Sequence, residues 1–449
     1  MNFGFYKGID PKRWKYLFFP LLLSLGFSIR ILFSPYLSYQ GDFRTWMVWA
    51  AGIANVGFPK FYDKFDWCDY MPGYIYVLWL LENVHSALPT ISDTILFKLP
   101  ANLSDLGISI LIFLVVRSIN NSKNAKIASL AYLFNPASLS NSTFWGQVDS
   151  VHAFPLLASI LLGIRRRFVL SSVFAAIAFM IKPQSIVIFP IIGFFVIRDI
   201  IIRGKEDRVF IITLILLIKI IAAGIITIFV VTLPFIWDEL GTEGIIGYFN
   251  EPILFINERF FTAYNKYDRT SLNAFNFWGM FAMWQSDQIR IFGITYQMWG
   301  TILFGIFYAL ILGSLFRYEI IGALKEQNRL GPDDNVQFAT RAIYAVTLIL
   351  FALFLFVTRA HERHFLPAIA FFTIIVFRSW LYWLFYGLVS LIYTVNMTYA
   401  YVWLTSRGFS SSLVEPFIPG FALVLLVVFL IVLIDFIRGS VGFYRETSS

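Results

Sequence analysis

Apolar runs of roughly 15 to 25 residues recur along the whole chain, separated by short polar stretches in which most of the charges collect. A helix needs roughly 20 mainly apolar residues to cross about 30 Å of hydrocarbon, and no part of the chain shows the short alternating segments of a barrel strand. The pattern predicts an all-α, multi-pass transmembrane protein. Spans are expected near 16–36, 94–116, 125–139, 149–164, 168–181, 184–200, 209–235, 291–316, 338–357, 365–378, 380–403 and 417–436, a bundle of about 12 helices.

Composition sharpens the class. Hydrophobic residues make up 58% of the 449 positions and charged residues 14%, which no single soluble core can hide. A net charge of +8 would suggest nucleic acid in a soluble protein. Here the basic residues sit in short loops, at Lys7 to Lys15, Arg117 to Lys126, Arg165 to Arg167, Arg198 to Arg208, Arg317 to Arg329 and around Arg438, where they set orientation. No nucleic-acid partner is expected. The single cysteine, Cys68, excludes an internal disulfide and a multi-cysteine metal site.

The first run is too long for a signal-peptide core and reads as an uncleaved span with a cytoplasmic N-terminus. Two apolar segments, about 71–88 and 94–116, then precede the basic loop at Arg117, although only an odd number of crossings fits. The segment "MPGYIYVLWLLENVHSALP", with Glu82, His85 and a proline at each end, is assigned to the outer interface, beside an earlier interfacial helix at about 43–56. Two long outer loops result, about 37–93 and 236–290. They belong to an expected catalytic module, 1–290, followed by a C-terminal transmembrane module, 291–449.

Polar groups gather at the outer ends of the spans. "FNPASLSNSTFWGQVDSVHAF" holds Trp145, Gln147, Asp149 and His152. "FMIKPQ" sets Lys182 before a proline. "VTRAHERHFLP" holds Arg359, His361, Glu362, Arg363 and His364. Cations from separate loops with neighbouring carboxylates suit an anionic substrate such as a phosphate.

At these residues the chain resembles integral-membrane glycosyltransferases of the GT-C class, and within it the branch similar to the second mannosyltransferase of GPI-anchor assembly. The likeness rests on "GDFRTWMVWAAGIANVGFPKFY", "FNPASLSNSTFWGQVDS", "IKPQ", "SLNAFNFWGM" and "HERHFLP", between about Tyr39 and Pro367. It implies a GT-C-like bundle with interfacial helices in the first outer loop, and inverting transfer of a hexose, mannose in that branch. The donor would be a polyprenyl-phosphate sugar such as dolichyl-phosphate mannose. The acceptor would be a glycan, glycolipid or protein on the lumenal or extracytoplasmic face, in the endoplasmic reticulum or a prokaryotic plasma membrane. A lone Asp42 stands where the family has a paired acidic motif, so no metal or other cofactor is assigned.

Inverting transfer needs a carboxylate to take the acceptor's proton, and Asp42 is the expected catalytic base. The plainer reading is a helix cap. Asp63, Asp66 and Asp69 read as solvated loop acids. Arg359, His361, Arg363, His364 and Lys182 are expected to bind the donor phosphate, against snorkelling anchors for the basic cluster and a plain loop lysine. The spacing of "HERH" is not that of a zinc motif. Trp145, Gln147 and Asp149, with Asn273, Asn276 and Trp278 of "SLNAFNFWGM", are expected to bind sugar or acceptor, against capping and interfacial packing. Asp105 and Lys219 are expected to pair inside the bilayer. A secondary transporter or lipid-glycan flippase is the alternative function, although no internal repeat is evident and the polar groups crowd one face. A membrane O-acyltransferase would need a deeply buried partner for its histidine.

Overall fold

The computed structural model describes residues 11–203, 209–240, 247–321, 332–406 and 413–439. Helices dominate: α1 Pro11–Phe33, α2 Gln40–Val56, α3 Pro72–Ala87, α4 Asp93–Ile119, α5 Ser122–Leu133, α6 Asp149–Ile164, α7 Phe168–Ile181, α8 Phe189–Arg203, α9 Val209–Thr232, α10 Gly247–Asn265, α11 Tyr296–Phe316, α12 Pro332–Phe356, α13 Leu366–Ile375, α14 Trp380–Thr405 and α15 Ile418–Ile437. Among the described residues, seven helical stretches are long and apolar enough to cross a membrane, beginning with Asp93–Ile119 and ending with Glu415–Ile437. The chain is an integral membrane protein with an all-α fold.

Burial sorts the long helices by neighbour. The apolar window of Asn335–Phe356 is 89% buried, so α12 is the central pillar; that of Thr213–Phe235 is 6% buried, so α9 turns nearly all its surface outward. The largest apolar core runs from Ile108 to Phe436 and packs residues from both sides of position 290 together.

The expected interfacial helices appear as α2 and α3. In α2 the buried residues Phe43, Trp46, Ala50 and Ile53 recur at helical spacing and pack in one cluster with Tyr74, Ile75, Leu78 and Leu81 of α3. Gly57 ends α2: its φ of 77° with ψ 171° is a backbone conformation open to glycine, and its N–H bonds Ile53 O.

Two expected spans come out shorter. Instead of 125–139, α5 stops at Leu133, because Asn135 and Pro136 start a new turn whose Ala137 N–H the Asn135 side chain accepts at 2.8 Å. Instead of 365–378, α13 covers ten residues, all of them buried. Protein surrounds α13, and irregular backbone at membrane depth is tolerated where it is buried in protein. The second outer loop contains α10.

The expected Asp105–Lys219 pair is absent. Asp105 is bound by Arg30 at 2.9 Å, by Tyr132 OH at 2.7 Å and by Ser150 Oγ at 2.6 Å, while Lys219 is exposed on α9. Arg30 also donates to Leu133 O and Ser138 Oγ, so the buried charge pair has hydrogen bonds around it. Lys219 sits on the helix with the least cover, where snorkelling suffices.

Candidate active site

Asp42 lies in the first turn of α2, where a carboxylate is favoured by the helix dipole. Its carboxylate makes no capping bond to the helix backbone among the described residues. No side chain caps the helix at Tyr39, and Asp42 Oδ2 instead accepts Trp145 Nε1 at 3.0 Å and Gln147 Nε2 at 2.6 Å. Oδ1 receives no protein donor among the described residues, and Asp42 is half-buried, so one carboxylate oxygen is held and the other is open. Both donors come from an unusual stretch. Leu139–Trp145 is a π-helical turn, closed by Gly146 at φ 88°, and Gly146 and Gln147 both bond back to Asn141 O.

Asp149 opens α6, wholly buried, and is ion-paired to Lys182 Nζ at 2.5 Å. Lys182 is extended because Pro183 follows it, and this break between α7 and the next turn turns its side chain toward Asp149. Asn141 joins the pair to Tyr393 OH, which in turn bonds Arg363 O at 3.3 Å.

The "HERH" segment is fixed from the side. Arg359 adopts φ 65°, and Ala360–His361 pairs in parallel with Ser271–Leu272 from the second outer loop. A short turn, Glu362–Phe365, then leads into α13. Lys182, Arg359, His361, Arg363 and His364 thus come from distant parts of the chain to line one cavity of about 330 Å³. Its other walls are apolar and aromatic, including Ile186, Val187, Phe260, Tyr264, Leu353 and Phe354, and Asp69 and Tyr70 close one side.

Charges at the cavity are unevenly answered. Arg359 is held by Asp287 at 2.7 Å, by Tyr264 O and by Asn265, and it stacks on the Tyr264 ring. Arg363 donates to Glu362 at 3.1 Å and to His361 Nδ1 at 3.3 Å, but its buried Nε has no hydrogen-bond partner among the described residues. Burial works against the Arg363 charge, yet Glu362 and then Asp42 outweigh it and hold the guanidinium firmly protonated. Burial raises the Glu362 carboxyl, with Arg363 pulling the other way. It also drives His361 and His364 well below 6.5, helped by Arg363 at His361 and by Lys182 at His364. Both rings are therefore neutral at pH 7. His364 Nδ1 accepts the His361 backbone N–H and His361 Nδ1 accepts from Arg363, which assigns the proton of each ring to Nε2.

Asn273, Asn276 and Trp278 do not join this cavity. Asn273 Oδ1 accepts Trp284 Nε1, Asn276 bonds Phe354 O and Gly279 N, and Trp278 Nε1 bonds Phe356 O at 2.7 Å. All three are buried, and their polar atoms are engaged within the second outer loop or against the backbone of α12. Asp63 and Asp66 are exposed, whereas Asp69 pairs with Lys266 at 3.0 Å and joins the two outer loops. No group of three or more His, Cys, Asp or Glu able to hold a metal is found among the described residues.

Lys98, Asn102 and Arg30 were not anticipated, yet all are wholly buried beside the π turn. One signal could have found the first two: Lys98, Asn102, Asp105 and Ser109 recur at spacings of about four, three and four on an otherwise apolar helix, a single polar stripe.

No protein-family model matches the chain, and no curated protein does. Solved structures similar to it include ArnT from Cupriavidus metallidurans in the apo state, at 13% identity and a TM-score of 0.43, with 96% of this chain and 78% of that one covered. The same protein bound to undecaprenyl phosphate gives 14% identity and a TM-score of 0.43, covering 96% and 79%. The archaeal oligosaccharyltransferase AglB from Archaeoglobus fulgidus, in complex with an inhibitory peptide and a dolichol-phosphate, gives 12% identity and a TM-score of 0.41. There the match covers 96% of this chain and 57% of that one.

Proposed function

We propose that the protein is a membrane glycosyltransferase of the GT-C type. It moves a hexose, mannose by the sequence resemblance, from a polyprenyl-phosphate donor to a glycan, glycolipid or protein acceptor on the lumenal or extracytoplasmic face, with inversion. The observation that carries this reading is the meeting of Lys182, Arg363, His361 and His364 on one apolar-walled cavity, with Asp42 in electrostatic reach of Arg363. Cations and neutral N–H donors beside apolar walls suit a phosphate attached to a hydrocarbon.

In this reading Arg363, through its unpartnered Nε, and the histidine Nε2–H groups take the phosphate oxygens and stabilise the charge that grows as the lipid phosphate leaves. Lys182 stays paired to Asp149 and supplies positive potential at the cavity wall. Asp42 receives the acceptor hydroxyl's proton on Oδ1 while Trp145 and Gln147 hold Oδ2. Arg359, spent on Asp287, shapes the wall.

The test is transfer itself. Purified protein in detergent or liposomes is incubated with radiolabelled polyprenyl-phosphate mannose and polyprenyl-phosphate glucose and an extract of membrane glycolipids, and label in the acceptor fraction is followed. Transfer that Asp42→Asn abolishes supports the reading. Label that only crosses the bilayer unchanged would make the protein a flippase.

A further inference from the structure

Asp42 depends on two separate pieces of chain. Residues 34–39 deliver it at the start of α2, and the π turn Leu139–Trp145 with Gly146 delivers its donors Trp145 and Gln147. Each piece lies at a helix C-terminus, where backbone carbonyls lack helical partners.

Lys98 lies between them. Its Nζ donates to Ser34 O at 2.9 Å, Tyr36 O at 3.2 Å and Leu37 O at 2.5 Å on one side, and to Thr143 O at 3.0 Å and Phe144 O at 2.8 Å on the other. The side chain is wholly buried and has no carboxylate within ion-pair distance among the described residues. Burying an ammonium is costly unless its protons are used, and here there are more carbonyl acceptors than protons. Leu37 is held at φ 53°, a left-handed conformation that a leucine adopts only under such constraint. Gly146 rests on the lysine stem so closely that an added Cβ would meet Lys98 Cγ at 2.9 Å.

We propose that Lys98 is the positioning residue of the acid site. By binding both helix ends, it sets the separation of the Asp42 carboxylate from Trp145 and Gln147, and so keeps Oδ1 open and Oδ2 stabilised. The proposal rests on the reading of Asp42 as the base. Without Lys98 the two segments separate, and the carboxylate loses its alignment with Trp145 and Gln147. The donor phosphate cavity, built by other segments, is untouched, so KM for the lipid donor holds while kcat falls on the order of ten- to a hundredfold.

Lys98→Met and Lys98→Arg are compared with the wild type by hydrogen exchange and by kinetics. Lys98→Arg keeps a cation with donors for both segments and should restore part of kcat; if Lys98→Met fails to accumulate, Lys98→Arg alone decides. Expected is faster exchange confined to residues 34–42 and 139–149, with kcat reduced and KM unchanged. Unchanged exchange in these segments, exchange raised throughout the protein, or KM rising with kcat intact would each overturn the proposal. A wild type that transfers no sugar sinks the glycosyltransferase reading instead, and the exchange pattern still reports whether Lys98 joins the two segments.

Discussion

The guanidinium of Arg30 donates to the carboxylate of Asp105 at 2.9 Å, with both side chains wholly buried between α1 and α4. Removing one partner of a buried pair leaves an uncompensated charge, at about 3–5 kcal/mol. Arg30→Met and Asp105→Asn should each lower the melting temperature in detergent, and the double variant should lose clearly less than their sum. Lys219→Met, on an exposed face, should leave it unchanged. Additive losses at Arg30 and Asp105 would contradict the pairing.

Asp42→Asn preserves shape and removes the base. Turnover should fall by about 10²–10⁴ while affinity for the lipid donor stays near wild type. Trp145→Phe, which removes one donor to Oδ2, should cost less, roughly tenfold. Turnover above about a tenth of wild type in Asp42→Asn would leave Asp42 as a helix-end residue only.

Much of this arrangement was legible in the sequence. Hydropathy located most long helices, and the segment set apart by parity forms α3, packed on α2, because charge and apolar length act locally. Five cationic or imidazole residues singled out from two separate motifs, Lys182 with Arg359, His361, Arg363 and His364, line the same cavity. What local reading could not supply was partnership. Asp105 met Arg30, 75 positions away, because helix packing and not depth in the membrane chose the partner. Asn273, Asn276 and Trp278 are bonded to backbone carbonyls and neighbouring side chains of the fold, contacts that residue type alone did not reveal.

Arg359 and Arg363 are four residues apart and should behave differently. Arg363, with an unpartnered Nε, should on substitution by alanine weaken donor binding or turnover by about 1.5–3 kcal/mol, and lysine should rescue only part of the loss. Arg359→Ala frees a buried Asp287 and should chiefly lower thermal stability, and Asp287→Asn should do the same. Equal kinetic loss with unchanged melting in both alanine variants would mean that Arg359 also binds the donor.

The histidines give stability a pH dependence whose sign is fixed. Because burial and the nearby cations hold His361 and His364 well below 6.5, the unfolded chain binds more protons than the folded one as pH falls through the ordinary histidine range. Stability contributed by the neutral rings is present above about 6.5 and is lost as pH drops below it. Arg363, Lys182 and Lys266 oppose protonation, and Asp149 favours it at His364. Glu362, with its raised carboxyl, acts in the opposite sense at lower pH. Melting temperature measured from pH 7.5 to 5 should therefore fall in the wild type and fall less in a His361→Asn/His364→Asn variant. Equal slopes would show that the rings titrate normally.

Topology follows from which end of the bundle holds the cavity. Asp69, Tyr264, Tyr267 and His361 gather there, whereas α4, at 27 residues about 40 Å long, carries the chain to the basic loop at Lys123. With the basic loops cytoplasmic, as the sequence leads one to expect, the cavity would face the other compartment. Asp66 and Asp268 are exposed at the cavity end, and Lys123 is exposed at the far end. Native Cys68 is buried and should stay silent. In sealed right-side-out vesicles, an impermeant maleimide should label Asp66→Cys and Asp268→Cys before lysis and Lys123→Cys only after it. Labelling of Lys123→Cys alone in intact vesicles would invert the protein and put Asp42 on the cytoplasmic side, where a donor sugar presented from the outer leaflet could not reach it.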